Sequence, residues 1–257
     1  MARNITLALT GSTGLIGSAF LRNLPEGFGI TKLLPFRSMK SSEITTMVEH
    51  LSMIGTRFVL HLGWPASSST ENYRYSAENF NALEKTIILK DACVRNNISF
   101  VGIGTVLDRE NHQENIYQQT KFICRKILES EIHDQVITWI RPYFVFNNSN
   151  WPDFIHSRED MPVEIQDNTP RDFIHINDVV SALYAVIQNE ITGEIDLGSG
   201  RLTTPSQVCV SLGKRYQLAT DSVENTKIDY FSPAQLNPAL TAHWNPSITR
   251  ALFEENR

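Results

Sequence analysis

Only three cysteines occur in the 257 residues, Cys93, Cys124 and Cys209, scattered and odd in number. They exclude a disulfide framework and predict the reduced thiols of a cytoplasmic protein. No apolar run approaches the roughly 18 residues that cross a bilayer. The opening MARNITLALTGS runs into a glycine turn instead of a cleavage site, so neither a signal peptide nor a membrane span is expected. Basic residues are in the minority, 23 against 28 acids, and form no stripe, which excludes nucleic acid as the expected partner. The seven histidines show no metal-ligand spacing, and no metal is assigned. Internal repeats and low-complexity tracts are absent. What remains is a chain with 41% apolar residues and a length suited to one large α/β domain, or to a nucleotide-binding domain with a small appendix.

Ile5–Thr10 (ITLALT) is a short apolar run and predicts a buried strand. The turn GSTGLIG follows, then a helix over Ser18–Leu24 that Pro25 ends. Further strands are predicted over Ile30–Phe36, Arg57–Leu62, Ile98–Ile103 and Val136–Ile140. Helices are predicted over Glu43–Met53, Asn72–Asn96 and Tyr117–Glu129. This alternation predicts an α/β fold, a Rossmann-type doubly wound parallel sheet. The near-continuous apolar strands agree, because parallel strands are covered on both faces. After about residue 146 the texture changes: 147–170 is loop-rich, and Asp178–Asn189 predicts a helix with Val179, Leu183 and Val186 on one face. The expected organisation is a dinucleotide-binding Rossmann domain over 1–146 and a small, mainly substrate-binding C-terminal region over 147–257, interleaved with the end of the sheet.

The glycines of Thr10-Gly11-Ser12-Thr13-Gly14-Leu15-Ile16-Gly17 fall three and three apart, between the first strand and the first helix. One permits a tight turn, the next lets backbone approach a pyrophosphate, and the third lets helix and strand pack closely. The helix N-terminus offers N–H groups and a partial positive charge to phosphates. Gly11, Thr13, Gly14, Leu15, Ile16 and Gly17 are therefore candidate cofactor-binding residues. At the end of the second predicted strand stand Arg37 and Ser38, with Lys40 close behind and no acid in the run Leu33–Ser38. An arginine there suits a 2′-phosphate, so NADP(H) is favoured over NAD(H). The competing reading of Arg37 is a solvated loop charge.

Tyr117 and Lys121 stand four apart, on one face of a predicted helix. An ammonium beside a phenol favours the phenolate and lowers the tyrosine's pKa, equipping it to exchange a proton with a substrate hydroxyl or carbonyl. Thr105, at the end of the preceding strand, offers a second hydroxyl to the same substrate oxygen; its plain alternative is a turn-forming threonine.

At these residues the sequence resembles the extended short-chain dehydrogenase/reductase family, the NAD-dependent epimerase/dehydratase group that modifies nucleotide sugars. TGSTGLIG is similar to its TGxxGxxG turn and YQQTK to its YxxxK element. HLGWPAS (His61–Ser67) resembles the segment that lines the cofactor, which brings in Leu62 and Gly63. IRPYFVF (Ile140–Phe146) resembles the strand beside the nicotinamide, which brings in Tyr143. RDFIHINDVVSAL, GEIDLGSG and HWNPSITRAL follow in the family's order. The resemblance implies that Tyr117 is the general acid, that Lys121 holds the nicotinamide ribose and tunes Tyr117, and that Thr105 is the third catalytic member. That last assignment reads GTVLD like the family's GTxxEYG variant; set against SSxxVYG, Ile103 takes the place instead. Arg171 matches an arginine that contacts the substrate diphosphate, or forms a structural salt bridge. The family's dehydratases carry an Asp-Glu pair where this chain has Val106-Leu107, which argues against dehydration. Asp108 and Glu110 are expected to be solvated loop acids, Cys124 a core residue, and Phe144 stands where the family has asparagine.

The chain is short for this family, which favours a simple reductase over an epimerase. The leading expectation is a cytoplasmic NADPH-dependent reductase of a nucleotide-linked 4-keto-6-deoxy sugar. A nucleotide-sugar C4 epimerase holding NAD is the alternative, and a catalytically silent nucleotide-sensing or scaffold protein the alternative of another class. The resemblance also implies a homodimer through the faces of Asn72–Asn96 and Tyr117–Glu129.

Overall fold

The structure, a computed structural model, describes residues 5–64, 72–108, 114–130, 136–147, 155–156, 161–219 and 232–254. Glu110 and the run Pro65–Ser67 of the cofactor-like segment lie outside them. The elements run β1 (Ile5–Thr10), α1 (Leu15–Arg22), β2 (Phe28–Leu34), α2 (Ser41–Met53), β3 (Phe58–His61), a 3₁₀ turn (Tyr73–Tyr75), α3 (Glu78–Arg95), β4 (Ser99–Ile103), α4 (Ile116–Glu129) and β5 (Ile137–Pro142). They continue with β6 (Phe144–Phe146), β7 (Ile155–His156), β8 (Val163–Ile165), β9 (Arg171–His175), α5 (Ile176–Gln188), β10 (Gly193–Leu197), β11 (Leu202–Thr203), α6 (Pro205–Ser211), β12 (Tyr216–Leu218), α7 (Pro238–Thr241) and α8 (Ser247–Glu254). Two compact units result, Met1–Arg141 with Val186–Ile195, and Pro142–Ala185 with Asp196–Arg257.

The first unit is built on the six-stranded sheet β10-β5-β4-β3-β1-β2. β1 pairs in parallel with both β2 and β3, and β4 in parallel with β3 and β5, so this is the doubly wound α/β arrangement expected. β1 and β3 are central, and their apolar residues are buried throughout; β2 lies at the edge and leaves Leu33 half exposed. Ile44, Val48 and Leu51 of α2 share one helical face. They meet Leu89, Ala92 and Cys93 of α3, with Phe100, Cys124 and Trp139 completing the core.

One long helix over 72–96 is not what forms. Asn72 adopts φ +61°, Ser76 is extended, and α3 begins only at Glu78. The cause is local. The buried Asn79 amide donates from Nδ2 to the carbonyls of Tyr73 (2.8 Å) and Ser76 (2.9 Å), which rewards a turn before the helix instead of more helix.

The second unit carries two small sheets, β11-β9-β6 and β12-β8-β7, over a core of Phe146, Val163, Ile165, Phe173, Val208 and Phe253. Two buried carboxylates organise it. Asp172 accepts from the Ser199 N–H and hydroxyl (2.6 Å each) and from the Gly200 and Ala234 N–H groups (2.9 Å each). Asp178 accepts from the Ile248 and Thr249 N–H groups and the Thr249 hydroxyl, fixing the start of α8.

Candidate functional site

The strand order reverses at β1: the chain first moves outward to β2, then returns to place β3 on the other side. In open α/β sheets the ligand crevice lies at such a reversal, beyond the carboxyl ends of the strands. Here those ends carry Gly11 and Gly63. Gly11 has φ +69°, and a side chain on it would come within 2.6 Å of the Leu62 carbonyl carbon, so glycine alone closes the two turns on each other. A side chain at Gly17 would run into the Gly11 carbonyl, so α1 can approach this turn only with glycine there. Gly14 caps α1 without any side-chain bond. The first-turn N–H groups, Leu15 and Ile16 among them, therefore stay available to an anion.

Beside this turn lies a cavity of about 430 Å³, lined by Gly11, Ser12, Thr13, Gly63 and the segment Leu33–Ser38. Arg37 stands at its rim, 70% exposed, with Nη2 3.5 Å from Glu78 Oε2 of α3. The run Leu33–Ser38 lacks an acid; tertiary structure supplies one. Ser38 donates its hydroxyl to the Pro35 carbonyl (3.0 Å), and Lys85 donates to the carbonyl of Arg37 (3.2 Å).

His61 fixes the crevice floor. The Thr86 hydroxyl donates to the Ala82 carbonyl (2.7 Å), so it must accept from His61 Nε2–H (3.0 Å). Nδ1 is then the acceptor for the Thr10 hydroxyl (2.9 Å), whose oxygen in turn accepts the Gly63 N–H (2.8 Å). This directional chain ties the ends of β1 and β3 together through a neutral imidazole. Burial first, and the Lys121 charge second, lower its pKa to about 3.

α4 starts where its cap dictates. Asn115 Oδ1 accepts the Gln118 N–H (3.1 Å), and Gln118 Oε1 accepts the Glu114 N–H (2.8 Å). Tyr117 thereby falls in the first turn, and Lys121 one turn later. The structure brings Thr105 near them: its Oγ1 accepts the Leu107 N–H (3.3 Å), and its side chain comes close enough to Tyr117 to act on the phenol's pKa. The Tyr73 ring packs edge-on against Tyr117 at 5.3 Å. Lys121 Nζ donates to the Ile103 carbonyl (2.8 Å) and lies 3.7 Å from the centre of the Trp64 ring.

The expected lowering of the Tyr117 pKa is not what this geometry gives. Burial dominates and raises the phenol above its ordinary value. Tyr73 and Asp108 add to the rise, and Thr105 and Arg74 oppose it. The same burial lowers Lys121 to about 8, against opposing effects from Cys124 and Asp108. Cys124 itself is core, its thiol pushed up to about 12 by burial.

Asp108 is a correction. It is no solvated loop acid but fully buried. Its Oδ2 accepts the Thr105 N–H (3.2 Å) and Trp139 Nε1–H (2.9 Å), holding the loop that carries Thr105. Among the described residues its Oδ1 has no hydrogen-bond partner, and Arg141 Nη1 stands 3.9 Å away. Arg125 pairs bidentately with Glu194 (2.8 and 2.9 Å) and donates to the Asp108 carbonyl (3.2 Å). The only sequence signal was the GTVLD spacing, which puts Asp108 at the acid of the GTxxEYG pattern.

Two expected site residues belong to the second unit. Tyr143 is buried, its hydroxyl bonded to Asp196 (3.3 Å). Arg171 is 6% exposed, ion-paired with Asp167, donates to the Thr169 carbonyl (2.8 Å) and lies 5.4 Å from the centre of the Phe144 ring.

No protein-family model matches the chain, and no curated protein matches it in sequence. Solved structures match it along nearly its whole length. The dTDP-4-dehydrorhamnose reductase of Bacillus anthracis, in complex with NADP, is 12% identical with a TM-score of 0.71, over 97% of each chain. The UDP-N-acetylglucosamine 4-epimerase of Methanobrevibacter ruminantium is 18% identical with a TM-score of 0.67, over 98% of this chain and 97% of its own. The UDP-glucose 4-epimerase of Thermotoga maritima, with UDP-glucose, is 17% identical with a TM-score of 0.66, over 97% of this chain and 96% of its own. At these identities the likeness is one of fold: the chain has the Rossmann-like architecture of these proteins.

Proposed function

We propose that this chain is an NAD(P)(H)-dependent oxidoreductase acting on a nucleotide-linked sugar, and specifically a reductase of a 4-keto-6-deoxy sugar. The observation that carries the reading is the approach of Thr105 to Tyr117, with Lys121 one turn along the same helix, in the unit that also holds the glycine turn and its cavity. A dinucleotide fits the residues present at its adenosine end. The turn at Gly11 and Gly17 is a cradle that any side chain would fill, and the cavity runs from it to Arg37. Thr13, Gly14, Leu15 and Ile16 would hold the phosphates, Leu62 and Gly63 would wall the crevice, and Arg37 with Ser38 would meet a 2′-phosphate, favouring NADP(H). Tyr143 and Arg171 are proposed for the nicotinamide and for the substrate diphosphate.

When bound, the nicotinamide supplies the hydride. Tyr117 then donates its proton to the substrate oxygen as negative charge develops there, with Thr105 bonded to the same oxygen. A phenol whose pKa is raised is protonated throughout the neutral range, which suits an acid. Lys121, lowered to about 8, still carries its charge for the most part at neutral pH and favours the developing phenolate. The buried Asp108 holds the Thr105 backbone in place. The protein is proposed to act as a homodimer, with the exposed Phe80 of α3 and Ile123 of α4 as candidate contacts.

Solved structures of a reductase and of an epimerase are covered almost equally, at 97% and 96% of their lengths, so chain length does not separate those two readings. The test is incubation of the purified protein with NADPH and a panel of nucleotide-linked 4-keto-6-deoxy sugars. Stoichiometric loss of reduced-cofactor absorbance with one of them is expected. Interconversion of C4 epimers with no net cofactor consumption points to the epimerase. Failure to bind either dinucleotide refutes both.

A further inference from the structure

Lys121 is sealed. Its side chain is 4% exposed, and three described neighbours crowd the ammonium. One N–H goes to the Ile103 carbonyl (2.8 Å). The Trp139 ring, itself fully buried, stands 5.5 Å away. The Trp64 indole lies face-on with its centre 3.7 Å from Nζ, a separation that admits no atom between them. Of these three neighbours, the carbonyl belongs to β4 and Trp139 to β5, both in the core sheet. Of the three, Trp64 alone is a loop side chain, and it is half-exposed.

The indole is seated rather than merely resting there. Its Nε1–H donates to Asn79 Oδ1 at 2.8 Å, and the Asn79 amide is itself fixed by the Tyr73 and Ser76 carbonyls. Trp64 also follows directly on Gly63, which lines the open cavity. Trp64 itself is not among the residues that line this cavity. A ligand confined to the turn, the cavity and Arg37 meets no obstruction from Trp64. One that takes a hydrogen bond from Lys121 has to break the indole's contact first.

Resting on the dinucleotide reading above, we infer that Trp64 sets the affinity for the nicotinamide half of the cofactor: its indole covers the Lys121 ammonium and must swing off it before that half can be held. The two halves of the cofactor are thereby energetically separable. The adenosine half binds to a formed site, and the nicotinamide half binds at the cost of the cation–π contact and the Asn79 hydrogen bond.

The experiment compares wild type, Trp64→Ala and Trp64→Phe by calorimetry, with NADPH and NADH as whole cofactors and 2′,5′-ADP and ADP as adenosine-end probes. Circular dichroism confirms that each variant is folded. Trp64→Ala is expected to bind the better whole cofactor about tenfold more tightly than wild type, while the affinity for its fragment changes less than twofold. Trp64→Phe, which keeps a ring but loses the Asn79 bond, should fall between. In wild type the whole cofactor should change tryptophan emission and the fragment should not, and the change should vanish in Trp64→Phe, although three other tryptophans remain. An unchanged ratio of whole-cofactor to fragment affinity in both variants overturns the role of Trp64 and leaves the dinucleotide reading standing. If none of the four probes binds any of the proteins, the dinucleotide reading falls and the inference with it.

Discussion

Asp108→Asn tests whether a buried charge beneath the candidate site is held at a cost to stability. The carboxyl is fully buried, and burial pushes its pKa from 3.8 to about 6. The hydrogen bonds from Trp139 and Thr105 and the charges of Arg141 and Arg125 offset only part of that rise. A raised pKa means that the folded chain holds the proton more tightly than the unfolded one. The stability Asp108 contributes is therefore present in full below about pH 4 and is lost as pH climbs through about 6. Two pH units at about 1.4 kcal/mol each make the loss about 3 kcal/mol. An asparagine amide keeps an acceptor for the Thr105 N–H and Trp139 Nε1–H and never ionises. The stability of the variant relative to wild type should accordingly rise by about 3 kcal/mol between pH 4 and pH 8. Constant offsets from the altered contact with Arg141 cancel in that slope. Urea unfolding of both proteins at a series of pH values, followed by tryptophan emission because Trp139 shares the bond, reads it directly. A difference that stays flat with pH refutes the account of Asp108 as a desolvated acid.

Tyr117→Phe keeps the ring against Tyr73 and removes the hydroxyl that Thr105 approaches. Turnover should fall by roughly 10²–10⁴-fold with cofactor affinity unchanged, and an unaltered kcat removes Tyr117 from the chemistry. Arg37→Ala should weaken NADPH by about tenfold and NADH hardly at all if the guanidinium meets a 2′-phosphate; equal losses for both would reduce Arg37 to a partner of Glu78. In the second unit, Asp172→Ala leaves four donors without their acceptor and should cost on the order of 5 kcal/mol in thermal or urea unfolding. Asp172→Asn should recover only part of that, because its single amide oxygen serves one pair of donors while its NH2 faces the other pair; full recovery would mean that one of the two oxygens contributes little.

The sheet was legible because parallel strands are apolar on both faces and glycine turns punctuate them. β1 was bounded at Ile5 and Thr10 from its residues alone, and β3 and β4 to within two residues. The break before α3 was not legible, since Asn79 acts on carbonyls three and six residues upstream and the helical spacing of the apolar residues continues across the gap. The approach of Glu78 to Arg37 was hidden for a related reason: the two are forty-one positions apart and meet only because α3 packs beside the end of β2. Spacing reports faces of one element; it is silent on what another element brings to that face.

The same silence explains the pKa of Tyr117. A four-residue interval on a helix places an ammonium near a phenol, and from that alone the phenolate is favoured. The sign is decided by a quantity that spacing does not carry, the amount of water left around the hydroxyl. Tyr73, Trp64 and the Asp108 loop come from three separate segments, and together they dry the first turn of α4 enough for desolvation to dominate. Of the three, only Trp64 is also seated on Lys121. Moving that indole would uncover the ammonium and rehydrate the phenol in one step, bringing Tyr117 back toward its ordinary value while Lys121 becomes available to ligand. The helix spacing would then describe the site with its gate open, and burial the site with the gate shut.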